Sequence, residues 1–472
     1  MDDKSRNRIL MVLFLGVLMG ALDIAIVAPA LPSIKLYFGI GDRILAWTFT
    51  IYVLFNLIGT PLMAKLSDKY GRRSLYILDV VLFAIGSMVV ALSPQKGFGV
   101  LLAGRALQGF GAGGIFPVAS AVIGDTFPAE KRGRALGLIG AVFGLAFIVG
   151  PILGGVILSI TTWQWLFLVN LPIAIVVIIM GWKLLPSIQT KASQTFDWAG
   201  LAVLSVLLAS LTYSVNQIDT QYFFSSLVSI HVLPFLLLGL VLLFILPGIE
   251  RKAVDPIINL DLFKGRQTKL ASLLSAGAGL GESGLVFIPA LAVAALPAVI
   301  NTHNSSYMLM PVVLAMAVGS PLVGRLMDKL GSRVMVFAGT LLLAVGMLML
   351  SSSHISATML GFILSAVVIG FGLSSLLGAP MRYIMLNEAS AENRTSAQGL
   401  ISLSTSIGQL TSSALIGAVA ASVGGGVAGY SAAYRVVGIV AVVMVVLTLG
   451  LKNRQQEIAT AQNNQQNTES KA

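Results

Sequence analysis

Among the ionisable side chains inside long apolar runs of this chain are Asp23, Arg105, Glu282 and Arg382. An acid at such depth costs about 2.5–3.5 kcal/mol even on insertion scales, so it must face protein or water. A carboxyl in that setting is a candidate reversible proton carrier. A guanidinium keeps its charge and acts instead by tuning an acid near it. Asp23 is therefore either a proton-handling group or a structurally paired one. Arg105 either modulates a nearby carboxylate or clamps helices together. Gln108, Gly109, Ala112, Gly113 and Phe116 follow it at helical spacing on one face, where the small residues admit a neighbouring helix. Glu282 lies in the Gly-rich stretch "SAGAGLGESG", either as a cavity carboxylate or as the partner of Arg382. Gln108, Phe116 and Phe147 are the candidate lining of a substrate cavity. Asp79 is placed to extend a charge network toward the nearby loop.

These residues need elements that can carry them through hydrocarbon. Of the 472 residues, 56% are hydrophobic and 10% charged, with a mean hydropathy of +0.91, against about 25% charged in soluble domains. Apolar runs of roughly 20 residues, the length that crosses a bilayer core, recur from 9–33 to 432–451. Fourteen such runs are expected, all helical, because they lack the apolar–polar alternation of barrel strands. The first run is no secretory signal: it is too long, holds Asp23 and has no small-residue cleavage site.

The net charge of +11 is distributed as a topology signal. With the N-terminus cytoplasmic, the basic residues collect inside, except Lys35, Arg43, Lys96 and Arg435 outside and Arg105 and Arg382 within runs. The sequence therefore predicts both termini in the cytoplasm and no nucleic-acid partner.

The stretch "GTPLMAKLSDKYGRR", Gly59 to Arg73, recurs 260 residues later as "GSPLVGRLMDKLGSR", Gly319 to Arg333. Two copies in like orientation mean two parallel halves. The spacing spans eight helices where two six-helix halves need six, so two helices, about 198–216 and 226–248, are expected as an insert. The predicted organisation is a six-helix bundle at 1–190, two inserted helices at 191–252, a second six-helix bundle at 253–452 and a disordered tail at 453–472. In the loop, Asp68 and Lys65 complement helix dipoles, Gly71 permits a tight turn, and Arg72 and Arg73 hold the anionic surface. Asp328 and Arg333 take the matching places in the second copy.

At these residues the chain resembles the major facilitator superfamily, and within it the fourteen-helix drug/proton antiporter branch, up to about residue 452. "AKLSDKYGRR" is similar to the superfamily's signature loop, with Ala64 where Gly is usual; the second copy has Gly324. "LDIAIVAPALP", "RALQGFGAGG" and "GPILGG" match three further motifs in the expected order. "WQWLFLVNLP" departs from a Trp-Arg-Trp pattern at Gln164. The resemblance implies a proton-coupled exporter of small lipophilic or cationic compounds in the cell (inner) membrane, working by alternating access as a monomer without a cofactor. It also implies that Asp68 and its arginines latch the cytoplasmic side, and that Gly150, Pro151, Gly154 and Gly155 mark an antiporter. Export of one specific metabolite or lipid on the same fold is the alternative.

Other classes lack their chemistry. The histidines, His231, His303 and His354, stand singly without metal spacing, and no G-x-S-x-G elbow or G-x-x-x-x-G-K-[ST] loop is present. No enzyme and no metal is predicted. Parallel repeats place Asp23 and Glu282, each in the leading helix of its half, at equivalent positions facing one cavity.

Overall fold

The computed structural model describes residues 3–127, 129–187, 196–254, 256–258, 260–302, 304–388, 394–457 and 459–460. Every regular element among them is helical. Hydrocarbon offers no partner for a free N–H or C=O, so each segment must satisfy its backbone internally.

The chain folds as two compact units, Met1–Leu201 with Asn301–Tyr307, and Ala202–Ile300 with Met308–Ala472. The first contains α1 (Asp3–Phe38), α2 (Asp42–Tyr70), α3 (Arg72–Ala91), α4 (Phe98–Thr126), α5 (Ala129–Ile160) and α6 (Asn170–Leu184). Here α4 is the hub, packed against both α2 and α3, while α1 packs on α5. Glycines make the hub possible. A Cβ on Gly109 would meet the Tyr52 backbone of α2, and one on Gly86 of α3 would meet the Gln108 backbone.

α7 (Trp198–Gln217) begins at the end of the first unit. The second unit continues with α8 (Leu233–Glu250), α9 (Arg266–Gly284), α10 (Met310–Leu330), α11 (Ser332–Ser351), α12 (Met359–Leu376), α13 (Arg394–Ser422) and α14 (Gly426–Thr448). α9 packs on α13, and α11 on α12 and α14. α8 buries only 17% of its apolar window, so most of its surface is left exposed by the protein. Such a helix adds membrane area without joining the core of its unit.

Among the described residues, twelve helices are long and apolar enough to cross a membrane. α5 and α13 are not among the twelve. α5 contributes a shorter apolar helix, Val149–Ile160. The composition of α13 is diluted by hydroxyls, which fold back onto their own helix: Thr405, Thr411 and Ser422 donate to the carbonyls of Ile401, Ile407 and Ala418 at 3.0, 2.8 and 2.6 Å. The segment assigned to a tail contributes structure as far as Thr460, with Asn453 Oδ1 accepting from the Gln456 N–H at 3.0 Å to start a helical turn.

Candidate functional site

In the first unit, four helices bring polar side chains to one point. Asp23 of α1, Ser87 of α3, Arg105 and Gln108 of α4 and Asn170 of α6 are all fully buried. Arg105 Nη1 donates to Asp23 Oδ2 at 2.6 Å and to Gln108 Oε1 at 2.8 Å, and its Nε donates to the Thr48 carbonyl at 3.0 Å. Asp23 Oδ1 accepts from Gln108 Nε2 at 2.9 Å and from Asn170 Nδ2 at 3.1 Å. Both amides also donate to Ser87 Oγ, at 2.7 and 3.1 Å. The guanidinium lies 4.2 Å from the Tyr52 ring centroid and 5.7 Å from that of Phe167, giving the cation two aromatic faces.

Desolvating two such charges costs several kcal/mol each, offset only if geometry and hydrogen bonding are good. The carboxylate meets that condition with three donors; the cation does not entirely. Arg105 Nη2, Asn170 Oδ1, Tyr52 Oη and Thr48 Oγ1 are buried without a partner among the described residues. The cluster is a closed ion pair ringed by unused donors and acceptors.

Sequence reasoning found Asp23, Arg105 and Gln108, and the structure brings them together. It missed Ser87, Asn170, Tyr52 and Thr48. Asn170 had a signal, an amide in the apolar stretch "WQWLFLVNLP"; the others are ordinary residues whose role exists only after five helices, α2 included, converge. Phe116, further along α4, is 41% exposed and stands outside the cluster. The Phe147 side chain lies outside the described residues.

The α5 motif positions α1. A Cβ on Gly150 would collide with Ala25, and one on Gly154 with Pro29, so these glycines let α5 lie against the stretch that carries Asp23. Pro151 is accommodated inside α5 without ending it, and Pro151 and Gly155 are buried.

In the second unit Glu282 sits near the end of α9. Its Oε2 accepts from Gln409 Nε2 of α13 at 2.9 Å, and no ion pair with Arg382 occurs among the described residues. Arg382 is exposed on the ten-residue helix Ala379–Glu388. Three residues after Glu282 the α-helix gives way to a 3₁₀ turn, Leu285–Phe287, before Ile288–Ala295 resumes with Pro289 in its first turn. Tyr434 of α14 donates its hydroxyl to the Gly284 carbonyl at 2.8 Å, bridging the break to its neighbour. A 3₁₀ interruption beside a membrane carboxyl is a place where a helix bends at low cost.

In the loop after α2, Gly71 has φ +97° and Gly331 in the second copy +86°, the region where glycine is unstrained. Arg72 donates to Ser67 Oγ at 2.7 Å and pairs with Asp125 of α4 at 3.1 Å. Arg73 stacks over Trp182 of α6 at 5.4 Å. Both arginines are thus engaged inside their unit. The side chains of Asp68 and Asp328 lie outside the described residues.

The sequence profile described as Major Facilitator Superfamily matches residues 13–302 and 271–470, nearly the whole chain. The chain belongs to that superfamily. It is 32% identical over 415 residues, 86% of its length and 78% of the other's, to an uncharacterised MFS-type transporter, YfiU, of Bacillus subtilis. It is 30% identical over 362 residues, 76% of its length and 69% of the other's, to Multidrug resistance protein 3 of the same organism. The crystal structure of a peptide transporter, POT, in complex with sulfate superposes with a TM-score of 0.70 at 16% identity, covering 94% of each chain, which speaks for the fold. This superfamily member is a multi-pass membrane transporter of small molecules and not an enzyme.

Proposed function

We propose that this transporter is a proton-coupled exporter of small, lipophilic or cationic compounds, an antiporter of the fourteen-helix branch with both termini cytoplasmic. The observation that carries the proton coupling is the enclosed Asp23–Arg105 pair with four unsatisfied polar atoms around it. An ion pair held by Gln108 and Asn170, with unused donors and acceptors beside it, is built to be opened. Water or a substrate's polar atom that joins Tyr52, Thr48 and Asn170 offers Arg105 and Asp23 substitute partners. A proton then takes the place of the guanidinium on the carboxylate, and the reverse step returns it. Asp23 is the group that gains and loses the proton, Arg105 the fixed charge that competes with it, and Gln108 and Asn170 orient both carboxyl oxygens.

Glu282 serves the same cycle from the second unit, where a neutral amide and a bendable helix surround it. A cation and a proton that compete for such acids exchange by mutual exclusion, and each weakens the other's binding by the same factor. The count of fourteen includes α5 and α13, whose lengths of 32 and 29 residues exceed what a bilayer requires. The multidrug name of the relative supports a lipophilic or cationic cargo.

The test is efflux from proteoliposomes under an imposed pH gradient, with a cationic dye and a neutral drug as substrates. Saturable, gradient-dependent transport that Asp23→Asn abolishes is the expected result. Transport that ignores the gradient, or an Asp23→Asn variant with normal rates for both substrates, overturns the coupling.

A further inference from the structure

The repeated loop is used differently in its two copies. In the first, Arg72 pairs with Asp125 and Arg73 lies over Trp182. In the second, Ser332 stands in the place of Arg72, and Arg333 has no acid partner among the described residues. Ser332 instead receives Glu457, which accepts from its backbone N–H at 3.3 Å and from its hydroxyl. The acid nearest in sequence to the basic Lys452–Arg454 stretch is thereby committed to the N-terminus of α11.

That contact belongs to a strap. The chain beyond α14 is pinned across its own unit by the Lys452 N–H on Gln267 Oε1 at 3.0 Å and by Gln267 Nε2 on the Gly450 carbonyl at 3.1 Å. Arg454 Nη1 caps the Lys329 carbonyl at the end of α10 at 2.6 Å, and Lys452 pairs with Glu388. Between the strap and the ends of α9 and α11 two adjoining clefts form, of about 560 and 580 Å³. The first is polar and basic, lined by Arg266, Arg333, Lys452 and Gln456. The second is mainly apolar, lined by Leu330, Val334 and Phe337, with Asn453, Arg454 and Gln455 of the strap along one side. Arg333 and Leu449 line both. Glu388 answers the charge of Lys452, while Arg266, Arg333 and Arg454 form no ion pair among the described residues.

We propose that these clefts form a binding site for an anionic phospholipid, its phosphate held by Arg266 and Arg333 and an acyl chain lying along Leu330, Val334 and Phe337. Guanidinium forks match phosphate oxygens two at a time, which a single ammonium does not. A free phosphate ion satisfies the basic cleft alone; an amphiphile satisfies both, and the position fits one. The site lies where two candidate membrane spans, α11 and α14, respectively begin and end, and Leu330 and Val334 are 47% and 45% exposed there. Basic clefts at helix ends on the basic-loop side are where acidic headgroups bind. A headgroup in this place ties the strap to α9, the helix that carries Glu282, so lipid composition gains a route to the transport helix.

The experiment uses the full-length protein, delipidated in detergent, and reads its thermal unfolding midpoint against added phosphatidylglycerol, cardiolipin, phosphatidylcholine or inorganic phosphate. The wild type is expected to gain stability with the two anionic lipids at concentrations where phosphatidylcholine and phosphate do nothing. Arg333→Gln should weaken the apparent affinity about fivefold and Arg266→Gln/Arg333→Gln roughly twentyfold, taking one charge at an anionic surface as about a fivefold effect. Lys96→Gln, a change of the same charge at an exposed site of the first unit, should keep the full response. Native mass spectrometry should find one anionic lipid retained by the wild type and lost from the double variant; should that variant not fold, Arg333→Gln alone decides by the same two readouts. An unchanged lipid response in the Arg333 variant overturns the site, as does equal loss in Lys96→Gln. Stabilisation by inorganic phosphate equal to that by lipid assigns the arginines to a free anion and overturns the lipid reading.

Discussion

Replacing Asp23 by Asn keeps the shape of the side chain and removes its charge, leaving the Arg105 guanidinium enclosed. The cation retains the Thr48 carbonyl at 3.0 Å, Gln108 Oε1 at 2.8 Å and the ring of Tyr52, but loses its shortest contact, 2.6 Å to a carboxylate that is itself fully buried. Breaking one side of a buried pair costs about 3–5 kcal/mol, because the surviving charge has neither water nor counter-ion. Arg105→Gln should cost a similar amount from the opposite side. The double variant Asp23→Asn/Arg105→Gln removes both charges and leaves neutral amides beside Gln108 and Asn170, so its loss should be about 1–3 kcal/mol. The two single effects are therefore strongly non-additive, with a coupling energy of roughly 3 kcal/mol or more. Denaturant titration in mixed micelles, followed by tryptophan fluorescence, gives all three values in one cycle. Single variants that each lose less than about 1 kcal/mol, or losses that simply add, would refute the enclosed pair. Recovery of stability in the double variant without recovery of proton-driven efflux would separate the structural contribution of the pair from its part in coupling.

Glu282→Gln keeps a side chain that can bond Gln409, so stability should stay within about 1 kcal/mol, while the affinity for a cationic substrate, which should rise with pH in the wild type, should rise less steeply, with Asp23 still in place; an unchanged pH dependence removes Glu282 from the cycle. Gly150→Leu drives a branched side chain into Ala25, and overpacking between α5 and α1 should cost about 1–3 kcal/mol and slow transport, with wild-type thermal stability and rate speaking against the contact. Asp68→Asn should slow transport and raise the accessibility of inward-facing labels, with Asp328→Asn doing less; equal labelling of Asp68→Asn and wild type sinks the latch. Arg72→Ala removes both the pair with Asp125 and the hydrogen bond to Ser67, so it should cost about 1–2 kcal/mol, and a larger loss in a denaturant titration would place Arg72 in a more demanding role.

Composition and pattern alone determined that this chain spans a membrane as helices, because the hydrophobic runs have the length of a bilayer and the backbone has no other solution there. The repeat at Gly59 and Gly319 is the sequence's argument for two parallel halves, since a turn that needs glycine and charges at fixed places leaves a literal record. Asp23, Arg105 and Glu282 were legible because a charge in hydrocarbon is too costly to be incidental. Only the tertiary structure decided their partners. Ser87, Asn170, Tyr52 and Thr48 carry no unusual spacing, and they become a site only where α1, α2, α3, α4 and α6 converge. The choice of Gln409 over Arg382 as the neighbour of Glu282 was equally hidden, because it depends on which face of α13 packs against α9. The fate of the repeated arginines was hidden as well: Asp125 and Trp182 occupy one pair, and a strap that ends in Glu457 leaves Arg333 open. Sequence fixes what must be compensated in lipid, while packing chooses the compensating group, since that choice is made between segments far apart in the chain.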